Sequence, residues 1–432
     1  MTAAPVMAVA PPGAPPQARP GTVTVLADPG DSPQAAAELA GRHDLDHGVA
    51  VCQPQPGATS PSVLAGDLLV ALGKLPGALA AEHLSRRGWE LAALWLRAEA
   101  VQDLVVLHAD RLPPGRWSDL ATLAAASGTR VWLATRAAGM TAGQRAALTA
   151  CADAGPPAHR PWRAALADLP AAGPRTGECW FPAVPDAEFP LFRAAAARLL
   201  DPAAFTRADA VYRDTCARAR GHAAVLRQAS GGDCAAAVLQ QLTIDAASAD
   251  EVLTRLRAAQ AGLFADGLLL DLRPARHPPW ELSEGCLRPR LDHATVARLR
   301  GLAAPVVAAA VTLSRATAMM PYQLCALRRH DVTGDGAGLR VRAGRLTYRI
   351  PARAAGPVRA AVLHQPPAPD GGLAGAAGQA PLLATPGGAP ISETALQRLR
   401  HHGAARAGVA LPAGSFRGWV ITDLCAPSRA RP

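Results

Sequence analysis

The sequence predicts an α/β N-terminal domain built on a parallel sheet, a helical middle, and a mainly α C-terminal domain with a small β-hairpin sheet. Three observations predict this architecture. Short apolar runs alternate with helical segments over 22–150, further helical segments follow over 191–265, and two helical segments precede a pair of alternating strands after 291. A chain of 432 residues is long enough for two or three domains, each with its own core.

Proline-rich stretches set the predicted domain boundaries. Prolines break the first 20 residues, and prolines and arginines are dense again shortly before residue 291. We expect a disordered Pro/Ala-rich tail over 1–20, the α/β domain over 21–152, a linker over 153–190, the helical domain over 191–272, a second linker over 273–290 and the C-terminal domain over 291–432.

Composition and charge narrow the class of protein. The formal charge is +10 with Lys74 as the only lysine, so nearly every cation is an arginine. The eight cysteines form no CxxC pair and none lies close to a pair of histidines, which argues against a zinc site. The longest apolar run, 305–313, is far shorter than the roughly 20 residues that cross a bilayer. We therefore expect a cytoplasmic protein with no cofactor, no metal and no membrane partner.

The N-terminal domain is predicted from four apolar runs and the helical segments between them. Strands with continuous apolar character and helical crossovers are typical of a parallel sheet covered on both faces. The predicted strands are 22–26, 48–52, 103–109 and 129–135, and the predicted helices are 60–72, 78–99 and 115–127. This order of parts resembles the AAA-type P-loop ATPases, in which the first strand runs into a phosphate loop and a later strand ends in paired acids.

The phosphate-loop positions that the resemblance implies are not retained. A GxxxxGK(S/T) loop needs glycines to wrap the phosphates, a lysine for the β- and γ-phosphates and a hydroxyl for magnesium. Residues 27–34 instead put Ala27 and Ser32 at the glycines, Pro33 at the lysine and Gln34 at the hydroxyl. Lys74 has neither a strand immediately before it nor a hydroxyl after it.

The strand that would carry paired acids is also changed. Leu107 and His108 stand where the resemblance implies Asp-Glu, and Asp110 follows too late. We therefore predict a degenerate P-loop-like domain that acts as a scaffold or binds a partner, with no nucleotide hydrolysis.

The middle of the chain is predicted to be helical. The predicted helices are 191–200, 206–228, 233–242 and 249–265. Ser248 and Glu251 form a capping-box pattern at the start of the last helix, and one of its faces is apolar. Such helices either form part of a DNA clamp or are simply core elements.

The C-terminal domain has a specific order of elements. Asp292 can cap a first helix, Pro305 begins a second, and Pro321 begins a short one that ends near Arg329. Two alternating strands follow, joined at Ala343-Gly344 in a plausible tight hairpin. Two helices, a short helix and a hairpin are therefore predicted in this order.

This order and its motifs resemble the catalytic domain of the tyrosine recombinases, the phage-integrase family. The family signature T-G-L-R-x-x-E-L corresponds to TAMMPYQL over 317–324, and L-x-x-x-D-(I/V) is in register at Leu327, Asp331 and Val332. The segment 391–419 resembles the helix and H-x-x-R block of the family. In that block Arg417 matches the arginine, Gly414 replaces the histidine, and Gly418 or Trp419 falls at the next donor position.

The resemblance implies a chemistry whose groups are missing. In the family a tyrosine attacks a DNA phosphate, while two arginines, a hairpin lysine and histidine donors stabilise the charge of the transition state. Here Met320 stands at the first arginine, Arg345 is the nearest cation to the missing lysine, and no tyrosine follows Arg417. We therefore expect no strand cleavage by this chain, and we lean towards a protein that is not an enzyme.

The charge distribution nevertheless favours DNA as a partner. Residues 317–432 hold fourteen arginines and five acidic residues, whereas 22–150 hold ten basic and twelve acidic residues. Such asymmetry is typical of nucleic-acid binding, although arginine-rich codon usage could also produce a solvated basic face. The predicted phosphate contacts are Arg328, Arg329, Arg340, Arg342, Arg345, Arg349 and Arg417.

These observations lead to one functional prediction and one alternative. The first is a non-catalytic DNA-binding protein of the tyrosine recombinase type, associated with DNA integration or recombination, with DNA and a partner recombinase as candidate partners. The alternative is a protein–protein interaction scaffold or regulator built on inactive ATPase and recombinase folds, without DNA binding. The salt dependence of DNA affinity separates the two.

Overall fold

A computed structural model gives the architecture. It describes residues 21–27, 33–75, 81–136, 140–151, 158–170, 181–228, 232–272, 287–334, 338–364, 379–411 and 420–424. The predicted tail over 1–20, most of the predicted phosphate loop and most of the second predicted linker lie outside these residues. In the described part of the chain, every helix is too short or too polar to cross a bilayer.

The N-terminal region forms a five-stranded sheet in which every strand pairing is parallel, which confirms the predicted parallel sheet. The strand order is β2-β3-β4-β1-β5. The strands are β1 (Val23–Ala27), β2 (Val49–Cys52), β3 (Asp103–Val106), β4 (Arg130–Thr135) and β5 (Ala158–Pro161). The strand predicted over 103–109 ends three residues early, because the chain turns at His108, whose φ is +52°.

Six helices accompany this sheet. They are α1 (Pro33–Ala40), α2 (Pro61–Ala71), α3 (Ala81–Ala98), α4 (Pro114–Ser127), α5 (Ala142–Cys151) and α6 (Trp162–Asp168). β5 and α6 lie inside the segment predicted as a linker over 153–190. The sequence AHRP of β5 has no apolar run, so hydrophobic periodicity gives no signal for this edge strand.

Five helices build the middle of the chain: α7 (Phe189–Leu199), α8 (Pro202–Gly221), α9 (Ala223–Gln228), α10 (Gly232–Thr243) and α11 (Ala249–Ala265). The helix predicted over 206–228 is therefore two helices, with a break at His222. At the start of α11, Ser248 Oγ accepts a hydrogen bond from Glu251 N–H at 3.2 Å, as predicted. The Glu251 carboxylate accepts from Ala247 N–H at 2.9 Å rather than from Ser248, so only half of the capping box forms.

A short strand ends this helical region and pairs with the far end of the chain. β6 (Leu268–Asp271) and β10 (Val420–Asp423) are antiparallel partners, with Leu268 opposite Asp423. Neither strand was predicted, because each has four residues and its partner is about 150 positions away.

In the described residues of the C-terminal region there are five α-helices and a three-stranded antiparallel sheet of order β7-β8-β9. The elements are α12 (His293–Arg300), α13 (Pro305–Thr317), α14 (Pro321–Ala326), β7 (Val332–Gly334), β8 (Gly338–Ala343), β9 (Leu346–Pro351), α15 (Gly356–Leu363) and α16 (Glu393–Ala407). The hairpin between β8 and β9 is present, but its turn is Gly344-Arg345, one residue later than predicted. Gly344 has φ +62°, a conformation that glycine adopts without strain.

The α/β region and the C-terminal region share one core. A single cluster of buried side chains includes Trp95 of α3, Leu299 of α12, Leu313 of α13 and Val358 of α15. The indole Nε1–H of the fully buried Trp95 donates to Ala303 O at 2.9 Å. Apolar packing therefore continues across the boundary predicted between separate domains.

Candidate nucleic-acid interface

The outer face of the C-terminal sheet is rich in arginine because its strands alternate. On β8, Leu339 and Val341 are buried, whereas Arg340 and Arg342 are exposed. Arg349 on β9 lies directly opposite Arg340, so its side chain belongs to the same face. We call Arg340, Arg342, Arg345 and Arg349 the arginine face; it holds four of the seven predicted phosphate contacts.

Two glutamines from the helical middle cover the free edge of β9. Gln240 of α10 donates from Nε2 to Arg349 O at 2.7 Å, and its Oε1 accepts from Arg349 N–H at 3.1 Å. The Nε2 of Gln241 donates to Thr347 O at 2.6 Å. Because the backbone groups of Arg349 point towards α10, Arg349 and Arg340 form a non-hydrogen-bonded pair, the kind in which opposing side chains lie closer.

Two like charges directly opposite each other are unfavourable unless an anion compensates them. Part of the compensation comes from Asp245, whose carboxylate lies 3.4 Å from Arg349 Nη1. Burial raises the pKa of Asp245, but Arg255 and Arg349 outweigh it and hold this pKa below its usual range. On the other side Arg342, with 60% of its side chain exposed, lies 3.4 Å from Asp331. Asp245 and Asp331 therefore neutralise part of the charge of this face.

A concave surface lies beside the arginine face. A cavity of about 590 Å³ is lined by Arg340, Arg345 and Arg349 from the hairpin and by His222 and Gln241 from the helical middle. Burial, and next the neighbouring Arg218, lower the pKa of His222, so this imidazole is neutral at neutral pH. The exposed Arg345, at the tip of the hairpin, forms no ion pair within the described residues.

The other predicted phosphate contacts are placed differently. Arg329 donates from Nη2 to His364 O at 3.3 Å, and burial lowers its pKa, so this guanidinium is partly engaged with the protein. Arg328 is half-buried, and its backbone N–H donates to Asp331 at 2.9 Å. Arg417 lies outside the described residues, as do Gly414 and Gly418.

An apolar side chain occupies the position that the recombinase resemblance assigns to the first arginine. Met320 immediately precedes α14 and is 36% exposed, and its N–H donates to Gln323 Oε1 at 2.8 Å. Arg400 of α16, which the sequence did not single out, donates from Nη1 to Met319 O at 3.4 Å. A cation therefore lies next to this position, although it comes from a helix about 80 residues further along the chain.

The cavity at the edge of the α/β sheet, where a nucleotide would bind, is small and largely apolar. Ligands of open α/β sheets bind beyond the carboxyl ends of the strands, where the strand order reverses. A cavity of about 260 Å³ lies there, lined by residues that include Leu26, Leu107, His108, Trp162 and Arg136. Arg136 pairs with Asp110 at 2.8 Å, so that acid is already neutralised.

Lys74 is too deeply buried elsewhere to serve a phosphate at this edge. Its ammonium Nζ donates to Glu99 Oε1 at 2.5 Å and lies 3.6 Å from the centre of the Trp95 ring. Burial lowers the pKa of Lys74 to about 8, against the opposing effect of Glu99. The lysine therefore belongs to the contact between the α/β region and the C-terminal region.

Among the described residues there is no cluster of three or more His, Cys, Asp or Glu side chains that could hold a metal ion. The chain matches no family model, and neither the curated proteins nor the solved structures contain a significant match to it. Function must therefore be argued from the residues and their geometry.

Proposed function

We propose that the protein is a non-catalytic DNA-binding protein of the tyrosine recombinase type that takes part in DNA integration or recombination. The observation that carries the proposal is the arginine face, with Arg340, Arg342 and Arg349 on one side of a rigid sheet and Arg345 at its turn. Residues two apart on a strand are about 6.8 Å apart. Arg340 and Arg342 therefore project from the same face at a fixed spacing, so that each can meet a different phosphate of a DNA duplex.

The chemistry of the face supports backbone contacts rather than base reading. Arginine binds phosphate oxygens through paired N–H groups. Among the described residues that line the adjoining cavity, Tyr348 is the only Phe, Tyr or Trp; it is 6% exposed and cannot stack on a base. The proposed binding is therefore largely independent of DNA sequence.

The remaining architecture is in keeping with this proposal. Two helices, a short helix and a hairpin occur in the order that the recombinase resemblance implies, with Met320 in place of the first arginine. The α/β sheet is parallel throughout, and the residues after its first strand lack the glycines and the lysine of a phosphate loop. Loss of the charged groups at both sites supports a binding role rather than a catalytic one.

The test is the salt dependence of binding to a labelled DNA duplex, measured by fluorescence anisotropy. Four phosphate contacts predict that the affinity falls by roughly 3 to 4 log units per log unit of salt. Replacing Arg340 or Arg342 by Gln should reduce this slope by about 1 and weaken binding to all sequences alike. Arg87→Gln, at an exposed arginine of α3, is the matched control and should leave the slope unchanged. A DNA affinity that does not change with salt would remove the proposal.

One observation favours the alternative of an interaction scaffold without DNA binding. Met320 and Tyr322 are 36% and 58% exposed at the start of α14, so an apolar surface stands where the family would place a charged group. A partner recombinase could pack against it. Under this alternative Met320→Asp would abolish capture of the partner, whereas Arg340→Gln would have no effect on it.

A further inference from the structure

A large cleft lies beside the shared core, with one wall in the α/β region and the other in the C-terminal region. Its volume is about 830 Å³. Residues from 41–48 and 99–102 form one wall, and both ends of α12, residues 352–353 and the start of α15 form the other. Pockets for small molecules measure roughly 300–1,000 Å³ and occur preferentially where domains meet.

The deepest part of the cleft already stabilises an anion of the protein itself. The Glu99 carboxylate, 3% exposed, lies 2.5 Å from Lys74 Nζ and 3.3 Å from Arg300 Nε. The backbone at the start of α15 approaches so closely that a Cβ on Gly356 would lie 2.6 Å from Glu99 Oε2. Two cations and the positive end of a helix therefore surround this carboxylate.

The acidic side chains on the α/β wall already have polar partners. The Asp44 carboxylate lies 2.8 Å from His47 Nδ1, and the Asp46 carboxylate lies 2.8 Å from Arg300 Nη2. These contacts reduce the repulsion that an incoming anion would meet at this wall.

Two arginines on the opposite wall retain unused donors. Arg359 makes a single hydrogen bond among the described residues, from Nη1 to Ala98 O at 2.9 Å; burial lowers its pKa, and Glu99 opposes this effect. Arg353 makes both of its side-chain bonds through Nη2, to Asp245 O at 3.2 Å and Leu291 O at 3.0 Å. Its Nε is buried without a partner in the described part of the chain. A guanidinium with unused N–H groups is suited to bind a carboxylate or a phosphate.

The rim of the cleft contains a strained residue. Ala100 has φ +55°, in a region that residues with a Cβ rarely adopt, and its carbonyl oxygen lies 3.1 Å from an ideal Cβ position on Gly48. Such conformations cost about 1–3 kcal/mol and cluster at ligand sites. Here the conformation also terminates α3, because the Val101 N–H donates to Leu96 O at 2.9 Å.

We propose that the cleft binds a small anionic molecule. Arg353 and Arg359 hold its phosphate or carboxylate group, next to Glu99 and the two cations that surround it. Among the described residues that line the cleft there is no Phe, Tyr or Trp, so charge and hydrogen bonding, not stacking on a base, select the ligand. The bound molecule bridges the two regions of the chain. This proposal does not depend on DNA binding, because the cleft and the arginine face share no residue.

The test uses the full-length chain with pyrophosphate and citrate as separate probes in isothermal titration calorimetry, so that phosphate and carboxylate recognition are distinguished. We expect one of the two probes to bind, and Arg359→Gln and Arg353→Gln each to weaken it by about 10-fold or more. Arg340→Gln should leave the binding of this probe unchanged while it alters the salt dependence of DNA binding. The two proposals can therefore fail separately.

A third variant leaves the existing hydrogen bonds of Arg353 and Arg359 in place. Ala352 is exposed at the mouth of the cleft, so Ala352→Asp adds a negative charge there without removing an existing bond. It should weaken the probe by a similar factor while leaving the unfolding temperature without ligand unchanged. No heat of binding for either probe at millimolar concentration would overturn the proposal. Equal binding to the wild type and all three variants would also overturn it, since that result indicates an adventitious ion only.

Discussion

The energy of the buried Lys74–Glu99 pair depends on pH. The folded chain releases the Lys74 proton near its pKa of about 8, whereas the unfolded chain holds it up to about 10.5. Between these values the unfolded state binds more protons, so the stability contributed by this site rises with pH. The whole rise is roughly 3 kcal/mol, and below pH 8 the contribution is flat.

We therefore expect wild type to gain roughly 2 kcal/mol over Lys74→Met when urea unfolding is compared at pH 7 and pH 9.5. Glu99 retains Arg300 at 3.3 Å in the variant, so its carboxylate is not left without a partner. Other titrating groups are common to both proteins and cancel in the difference. Identical pH profiles for the two proteins would show that Lys74 does not titrate in this range.

Single residues differ in how far the sequence predicts their surroundings. The sequence identifies Met320 as a departure from the recombinase pattern, since the neighbouring positions remain in register. It does not identify Arg400 as the cation next to that position, because their proximity depends on how α16 packs. It also identifies Lys74 as unable to serve a phosphate loop, but not Glu99 as its partner.

At the level of elements, the edge of β9 depends on one glutamine. Gln240 is fully buried and satisfies both backbone groups of Arg349. Gln240→Ala leaves two part-buried backbone groups of Arg349, its N–H and its C=O, without these partners, so it should lower the free energy of unfolding by about 2 kcal/mol. Gln241→Ala, the matched control, removes one bond to Thr347 O at a half-buried site and should cost about half as much. Equal losses in urea unfolding would contradict this account.

The elements that the sequence predicts well are those with a local pattern. β1 to β4 carry apolar runs and α11 starts at a capping residue, so their positions agree with prediction to within three residues. β5, β6 and β10 were not predicted, since each has four residues and its stability comes from a partner distant in sequence. The hydrogen bonds from α10 to the edge of β9 were not predicted for the same reason, because they join residues more than 100 positions apart.

For the whole molecule, the shared core predicts one cooperative transition for the α/β and C-terminal regions. Trp95→Phe leaves Ala303 O without its donor across their contact, at a cost of about 1–3 kcal/mol. Tryptophan fluorescence and far-ultraviolet circular dichroism should therefore shift together to lower urea concentration. Trp162→Phe, at the partly buried indole of α6, is the control and should shift the curve less. Two separate transitions would contradict a shared core.

The sequence predicts separate domains because it shows proline-rich stretches and changes of pattern, not contacts. The bond from Trp95 to Ala303 joins residues 208 positions apart, and that from Arg359 to Ala98 joins residues 261 positions apart. No local pattern encodes such a contact. The cleft proposed to bind an anion is invisible for the same reason, since its walls come from both regions.

The burial of Lys74 has a consequence for the chemical reactivity of the protein. Lys74 is the only lysine in the chain and is 1% exposed. Enzymes and reagents that acylate or conjugate lysine amines would therefore find no accessible lysine target in the native state. The rate at which the Lys74 amine is labelled, followed by mass spectrometry, would therefore report how often the contact between α3 and the C-terminal region opens.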